Sequence, residues 1–151
     1  MKQFAPFLTW GWIVFLLLAS IANRTANGKP LVPRVPPDAV WSEKWTSGRS
    51  GKNLFTRTAD VNGCLLVAVT PDALVVSACF PFSLFFLPEL FDLEHRIPHP
   101  AIRSVTPKKR LFKESVAIEF DDGSGRPRSI ELVLRGTPQF LTAIGRAQLT
   151  R

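Results

Sequence analysis

The sequence predicts a mainly β protein: a small antiparallel barrel or sandwich capped by a C-terminal helix and preceded by an N-terminal transmembrane segment. Three observations predict it. No charged residue occurs from Gln3 to Asn23, two pairs of apolar segments are separated by turn-forming residues, and the apolar spacing becomes helical only after Thr137.

The N-terminal run is apolar throughout Ile13 to Ala19 and carries Trp10 and Trp12 ahead of it. A bilayer core needs about 20 predominantly apolar residues in helical form, and residues 1–23 reach that length as an anchor. Ser20-Ile21-Ala22 also places small residues at the spacing a signal peptidase reads, so a cleaved leader is the competing reading. If the segment is retained, Arg24, Lys29 and Arg34 downstream outnumber Lys2 and the amino terminus. The positive-inside bias then predicts a single-pass protein with its domain on the cytoplasmic side, the alternative being periplasmic. Residues 24–40 follow as a linker, in which Pro30, Pro33, Pro36 and Pro37 favour extended backbone. The domain occupies 41–151, a size that supports one hydrophobic core.

Val61 to Val69 and Leu74 to Phe80 read as the clearest hairpin, with Pro71-Asp72 at the centre of the turn. That turn sets Cys64 opposite Cys79. The pair is close enough for a disulfide, although two buried free thiols are the plainer expectation. A second hairpin joins Ser115–Phe120 to Arg128–Leu134 through Asp121-Asp122-Gly123-Ser124-Gly125. Its alternation buries Val116, Ile118 and Phe120 on one strand and Ile130, Leu132 and Leu134 on the other. Shorter strand candidates are Leu54–Thr58, Ser83–Leu87, Phe91–Ile97 and Ala101–Val105. Thr137 is placed to cap a helix that opens with Pro138 and packs through Phe140, Ile144 and Ala147.

Catalytic chemistry finds little support in these residues. The two histidines, His95 and His99, lie beside Glu94 and Asp92, but Pro98 and Pro100 deny them a common helical face. Asp121 to Gly125 lacks the closing Glu of a calcium loop, and Ser47-Gly48-Arg49-Ser50-Gly51-Lys52-Asn53 lacks phosphate-loop spacing and reads as a flexible polar loop. No cofactor is implied.

Two segments stand out as candidate binding surfaces. The chain has a net charge of +7, and Arg103, Lys108, Lys109, Arg110 and Lys113 cluster around Phe112, as expected of a loop that meets anionic lipid. Nucleic acid is not expected, because neither a reading helix nor an aromatic-striped sheet is apparent. Phe82, Phe85 and Phe86, within Phe80 to Leu87, are the second surface, serving the core and an interface with a partner.

Asn62-Gly63-Cys64-Leu65, Val69 to Val76, Phe80 to Phe86 with Leu87-Pro88, Ile97-Pro98 with Ile102, and Leu111-Phe112 with Val116 form an ordered set of short signatures. Over Trp41 to Ile144 this set resembles small uncharacterised bacterial membrane-anchored proteins whose soluble domain is similar to the pleckstrin-homology (PH-like) fold. Members carry Ile-Pro-Trp-Ser-Glu-Ile where this chain has Ile97-Pro98-His99-Pro100-Ala101-Ile102, so polar roles at those positions do not carry over. The resemblance implies fold and anchoring and no activity. The functional expectation is a membrane-tethered, non-catalytic binding or scaffolding module that contacts its own membrane, anionic lipid headgroups or a membrane protein. The alternatives are an enzyme with a site around His95 and His99, or a secreted periplasmic binding domain after signal cleavage.

Overall fold

The computed structural model of the protein describes residues 5–51, 61–84, 93–110 and 113–149. A helix α1 (Ala5–Ala26) is followed by seven strands, β1 (Trp41–Ser50), β2 (Val61–Val69), β3 (Ala73–Ala78), β4 (His95–Pro98), β5 (Ile102–Arg110), β6 (Lys113–Asp121) and β7 (Pro127–Val133). A second helix, α2 (Thr137–Leu149), ends the described chain.

The strands form one antiparallel sheet in the order β4-β3-β2-β1-β7-β6-β5. Its two edge strands, β4 and β5, are neighbours in sequence, joined only by a 3-10 turn at His99–Ala101. So short a connection spans at most on the order of 14 Å, and the sheet must roll until its edges approach at that end. Among the described residues no ladder joins β4 to β5. The closed barrel of the PH-like resemblance is therefore corrected to a rolled but unclosed sheet.

The core fills the inside of the roll. Leu65, Val67, Val69, Leu74 and Val76 from the β2–β3 hairpin meet Val116, Ile118, Ile130 and Leu132 from β6 and β7. Across the end, α2 packs on β1, β2 and β6 through the buried Phe140, Ile144 and Ala147, the stripe that the helical spacing predicts. The β2–β3 register also follows from the Pro71-Asp72 turn, with Val69 opposite Leu74 and Leu65 opposite Ala78. Thr137 differs from its expected capping role. Its hydroxyl donates to the Leu134 carbonyl, while the Glu43 carboxylate on β1 accepts the N–H groups of Arg135 and Gly136 just ahead of the helix.

Strand β1 replaces the polar loop expected at Ser47 to Ser50. Its register slips at Trp45, which lies in the left-handed region at φ 62°, so the inward positions pass to Thr46, Gly48 and Ser50. Thr46 is satisfied by the Leu65 carbonyl at 3.2 Å. Gly48 has no room for a side chain, since a Cβ there would come within 2.8 Å of Leu65 Cδ1. Of the shorter strand candidates, His95 to Ile97 from Phe91–Ile97 lie in β4, Phe91 and Asp92 lie outside the described residues, and Ala101–Val105 extends into the longer β5. Ser83 belongs to a 3-10 turn at Phe82–Leu84, closed by the Leu84 N–H donating to the Pro81 carbonyl, and its own N–H donates to the Cys79 carbonyl. Leu54–Thr58 lies outside the described residues.

The transmembrane expectation is corrected as well: among the described residues no helix is long and apolar enough to cross a membrane. Within α1 the longest unbroken apolar run is Trp12 to Ala19, far short of about 20 residues. It is preceded by Thr9 and Gly11, and it is followed by Ser20, Asn23 and Arg24. The single-pass topology, the cytoplasmic placement and the membrane tether rest on that segment and are corrected with it, and without a tether the expected membrane, anionic-lipid and membrane-protein partners lose their support. The last turns of α1 instead meet protein. Ser20 and Arg24 are fully buried, and the Arg24 guanidinium donates to Glu94 at 2.8 Å and to the Pro30 carbonyl at 3.0 Å. Beyond the helix, Lys29 also pairs with Glu94, Ser83 Oγ donates to the Leu31 carbonyl, and the Val40 N–H donates to Val69.

Candidate functional site

The strand end of β1, the β2–β3 turn and α2 enclose an apolar cleft of about 640 Å³. Its floor is Trp41, Ala143 and Ala147, and its mouth is formed by the exposed Val40, Pro71 and Pro138. Each wall has a local cause. Trp41 begins β1 and is held edge-on to Phe140, with ring centroids 5.2 Å apart. Pro71 occupies the turn whose backbone is closed by Thr70, whose N–H and hydroxyl both donate to the Ala73 carbonyl. The helix wall is fixed by Glu43, which ties the N-terminus of α2 to the strand that carries Trp41. Gln139, Thr142 and Arg146 add three polar side chains to an otherwise apolar lining, and the Thr142 hydroxyl already donates to the Pro138 carbonyl.

Behind the turn lies His99, buried, with its backbone N–H donating to Asp72. Its Nε2 is 2.8 Å from the Thr70 carbonyl, which can only accept, so Nε2 is the donor in that bond. His99 thus braces the turn that forms one side of the cleft.

The residues considered for an enzyme do not share one purpose. Glu94 binds Arg24 and Lys29, His95 packs edge-on to Phe120 at 5.3 Å, and His99 is engaged with Thr70. Asp92 lies outside the described residues, among which no group of three or more His, Cys, Asp or Glu is placed to hold a metal ion. Burial pushes the Glu94 carboxyl up, but the hydrogen bonds and charges of Arg24 and Lys29 outweigh it and hold it below the usual carboxylate range.

The basic cluster lies on an edge strand. Lys108 and Lys109 are exposed on β5, and the backbone of Arg110 stands opposite that of Lys113 in the β5–β6 register; Phe112 lies outside the described residues. Arg103 is at the other end of β5, about 17 Å away by strand rise, where it forms a two-pronged ion pair with Asp121. Phe82 is half-buried in the turn after β3, and Phe85 and Phe86 lie outside the described residues. A polar hollow of about 520 Å³ is lined by Arg103, Arg126 and Arg128; in it Arg128 pairs with Asp122, and Glu119 accepts from the Ser104 hydroxyl. Asp122 accepts from the Ser124 hydroxyl and from the backbone N–H groups of Arg126 and Ser124, and lies close to Arg128; its pKa is lowered to about 2.

Sequence reasoning missed the cleft. Its one local signal was Trp41 at the domain boundary, and its other walls come from distant segments. No protein-family model matches the chain, and no curated protein sequence is similar to it, so the PH-like family resemblance gains no support beyond a β-rich domain with a C-terminal helix.

Proposed function

We propose that the protein is a non-catalytic binding module that takes a short, extended apolar segment of a partner protein into the cleft between Trp41 and α2. The observation that carries this reading is the lining: an aromatic floor and exposed proline walls, with few polar side chains among apolar ones. Trp41 is already fixed against Phe140, so little rotamer freedom is lost on binding.

Panning the full chain against a random peptide display library tests it. Apolar peptides should be enriched by the native protein and lost with Ala143→Arg, which fills the floor, while the variant keeps its thermal transition. No enrichment, or enrichment that Ala143→Arg leaves unchanged, overturns the reading.

The partition of α1 favours a second element, export with removal of the leader after Ala22. Trp10, Trp12, Val14, Phe15 and Leu18 are exposed, whereas the contacts to the sheet domain include Arg24, which would remain in the mature chain. Cleavage there would leave the Arg24–Glu94 pair in place. The mass of the mature protein tests this reading, and a product that retains Met1 to Ala22 excludes it.

A further inference from the structure

Cys64 and Cys79 face each other one step beyond Leu65 and Ala78, at the end of the β2–β3 ladder farthest from its turn. The Cys79 N–H donates to the Cys64 carbonyl at 2.6 Å, which makes them a hydrogen-bonded cross-strand pair. In such a pair the Cα atoms are about 5.5 Å apart, inside the roughly 4.4–6.8 Å that disulfides span. Both thiols are buried, and both are free. The Cys64 thiol donates to the Asn62 carbonyl at 3.0 Å. No metal-holding group includes them among the described residues, so their juxtaposition is not explained by shared ligation.

We propose that Cys64 and Cys79 are a disulfide site, joined by exchange with a protein or small-molecule disulfide while β2 pairs with β3. One cysteine thiolate attacks the oxidant's disulfide, forming a mixed disulfide and releasing one oxidant thiol. The second cysteine thiolate then attacks the first cysteine's sulfur, forms the Sγ–Sγ bond and releases the oxidant's other thiol. Two electrons pass to the oxidant, and the two cysteine protons balance the two thiols it becomes. Timing follows from the burial: once the hairpin is packed, burial and the neighbouring Cys79 sulfur push the Cys64 thiol up and leave little thiolate for exchange. The bond therefore forms during folding and, once enclosed, resists reduction. It would staple the strand end whose Cys79 carbonyl receives Ser83, and through Ser83 the Leu31 backbone.

The full chain, unfolded and reduced, is refolded in mixed oxidised and reduced glutathione and compared with a portion refolded in reductant alone. The expected oxidised product is monomeric, has no titratable thiol in denaturant, is lighter by two hydrogens, and yields a peptide linking Cys64 to Cys79. Its thermal transition should lie several degrees above that of the reduced form, because closing the loop removes freedom from the unfolded chain. Cys64→Ala/Cys79→Ala should fold and show no dependence on glutathione. Thiols that stay titratable, glutathione adducts, a disulfide-linked dimer, or a linked monomer that melts below the reduced form would each overturn the proposal. Its outcome is independent of the apolar cleft, since neither cysteine lines it.

Discussion

Arg24 and Glu94, 70 residues apart, are joined by two hydrogen bonds, Nη2 to Oε1 at 2.8 Å and Nη1 to Oε2 at 3.4 Å, with the Arg24 side chain wholly enclosed. A buried cation without its carboxylate is costly, so Glu94→Gln should weaken the docking of the segment that carries Arg24 by about 2–4 kcal/mol, read as faster proteolysis between residues 24 and 40. The pH dependence has a definite sign. Because the folded carboxyl is held below its ordinary 4.5, its contribution is complete above that value and is lost as pH falls through the depressed one. Between neutral pH and acid, the native protein should lose more of this protection than Glu94→Gln does; equal losses would count against the pair.

Asp122 organises the β6–β7 turn through the Ser124 hydroxyl and two backbone N–H groups. Ser124→Ala should raise its pKa from about 2 toward the ordinary 3.8, measured by carboxyl NMR titration. The native turn keeps its full benefit above 3.8 and loses it as pH falls through about 2, and the variant should lose it at higher pH.

Trp45 combines an exposed side chain with a left-handed backbone that a bulky residue adopts at a cost. Trp45→Gly and Trp45→Ala remove nearly the same contacts, so the difference between them isolates the backbone. The glycine variant should be more stable by about 1 kcal/mol in urea unfolding, and the reverse order would show that the bulge relaxes.

At Gly48 the obstacle is packing. A methyl group would meet Leu65 Cδ1 at 2.8 Å, and the Glu131 carbonyl and Leu132 Cδ2 each at 3.1 Å, with Leu65 and Leu132 fully buried. Gly48→Ala should therefore cost about 1–3 kcal/mol, measured by urea unfolding.

The same bulge explains why β1 was illegible in the sequence while β2 and β3 were plain. A clean turn at Pro71-Asp72 fixes one register and leaves the apolar alternation intact. In β1 the slip at Trp45 changes which residues face inward, and those residues are Thr46, Gly48 and Ser50, none of them apolar in the usual sense. The basic run was visible but its setting was not. Lys108 and Lys109 lie with Pro107 on an edge strand, where charge and proline also discourage pairing with another chain. The cleft was hidden because Trp41, Pro71 and Ala143 belong to three separate elements. The N-terminal stretch reads as an anchor because it is charge-free, yet Thr9, Gly11, Ser20 and Asn23 keep it from being continuously apolar.

The placement of β1 between β2 and β7 also bears on the order in which the chain can assemble. The hairpins β2–β3, β5–β6 and β6–β7 join neighbouring strands and need only short loops to close. The β1–β7 ladder, from Ser47 opposite Val133 to Ser50 opposite Ile130, must bring together residues such as Arg49 and Glu131 that are 82 positions apart. Loop-closure entropy falls most heavily on that one seam, so its formation is the natural rate-limiting event. Weakening Arg49–Glu131 should then slow folding, whereas weakening contacts that form after the seam should mainly hasten unfolding. A strand with almost no apolar inward side chains thereby becomes the kinetic gate through which the two halves of the core find each other.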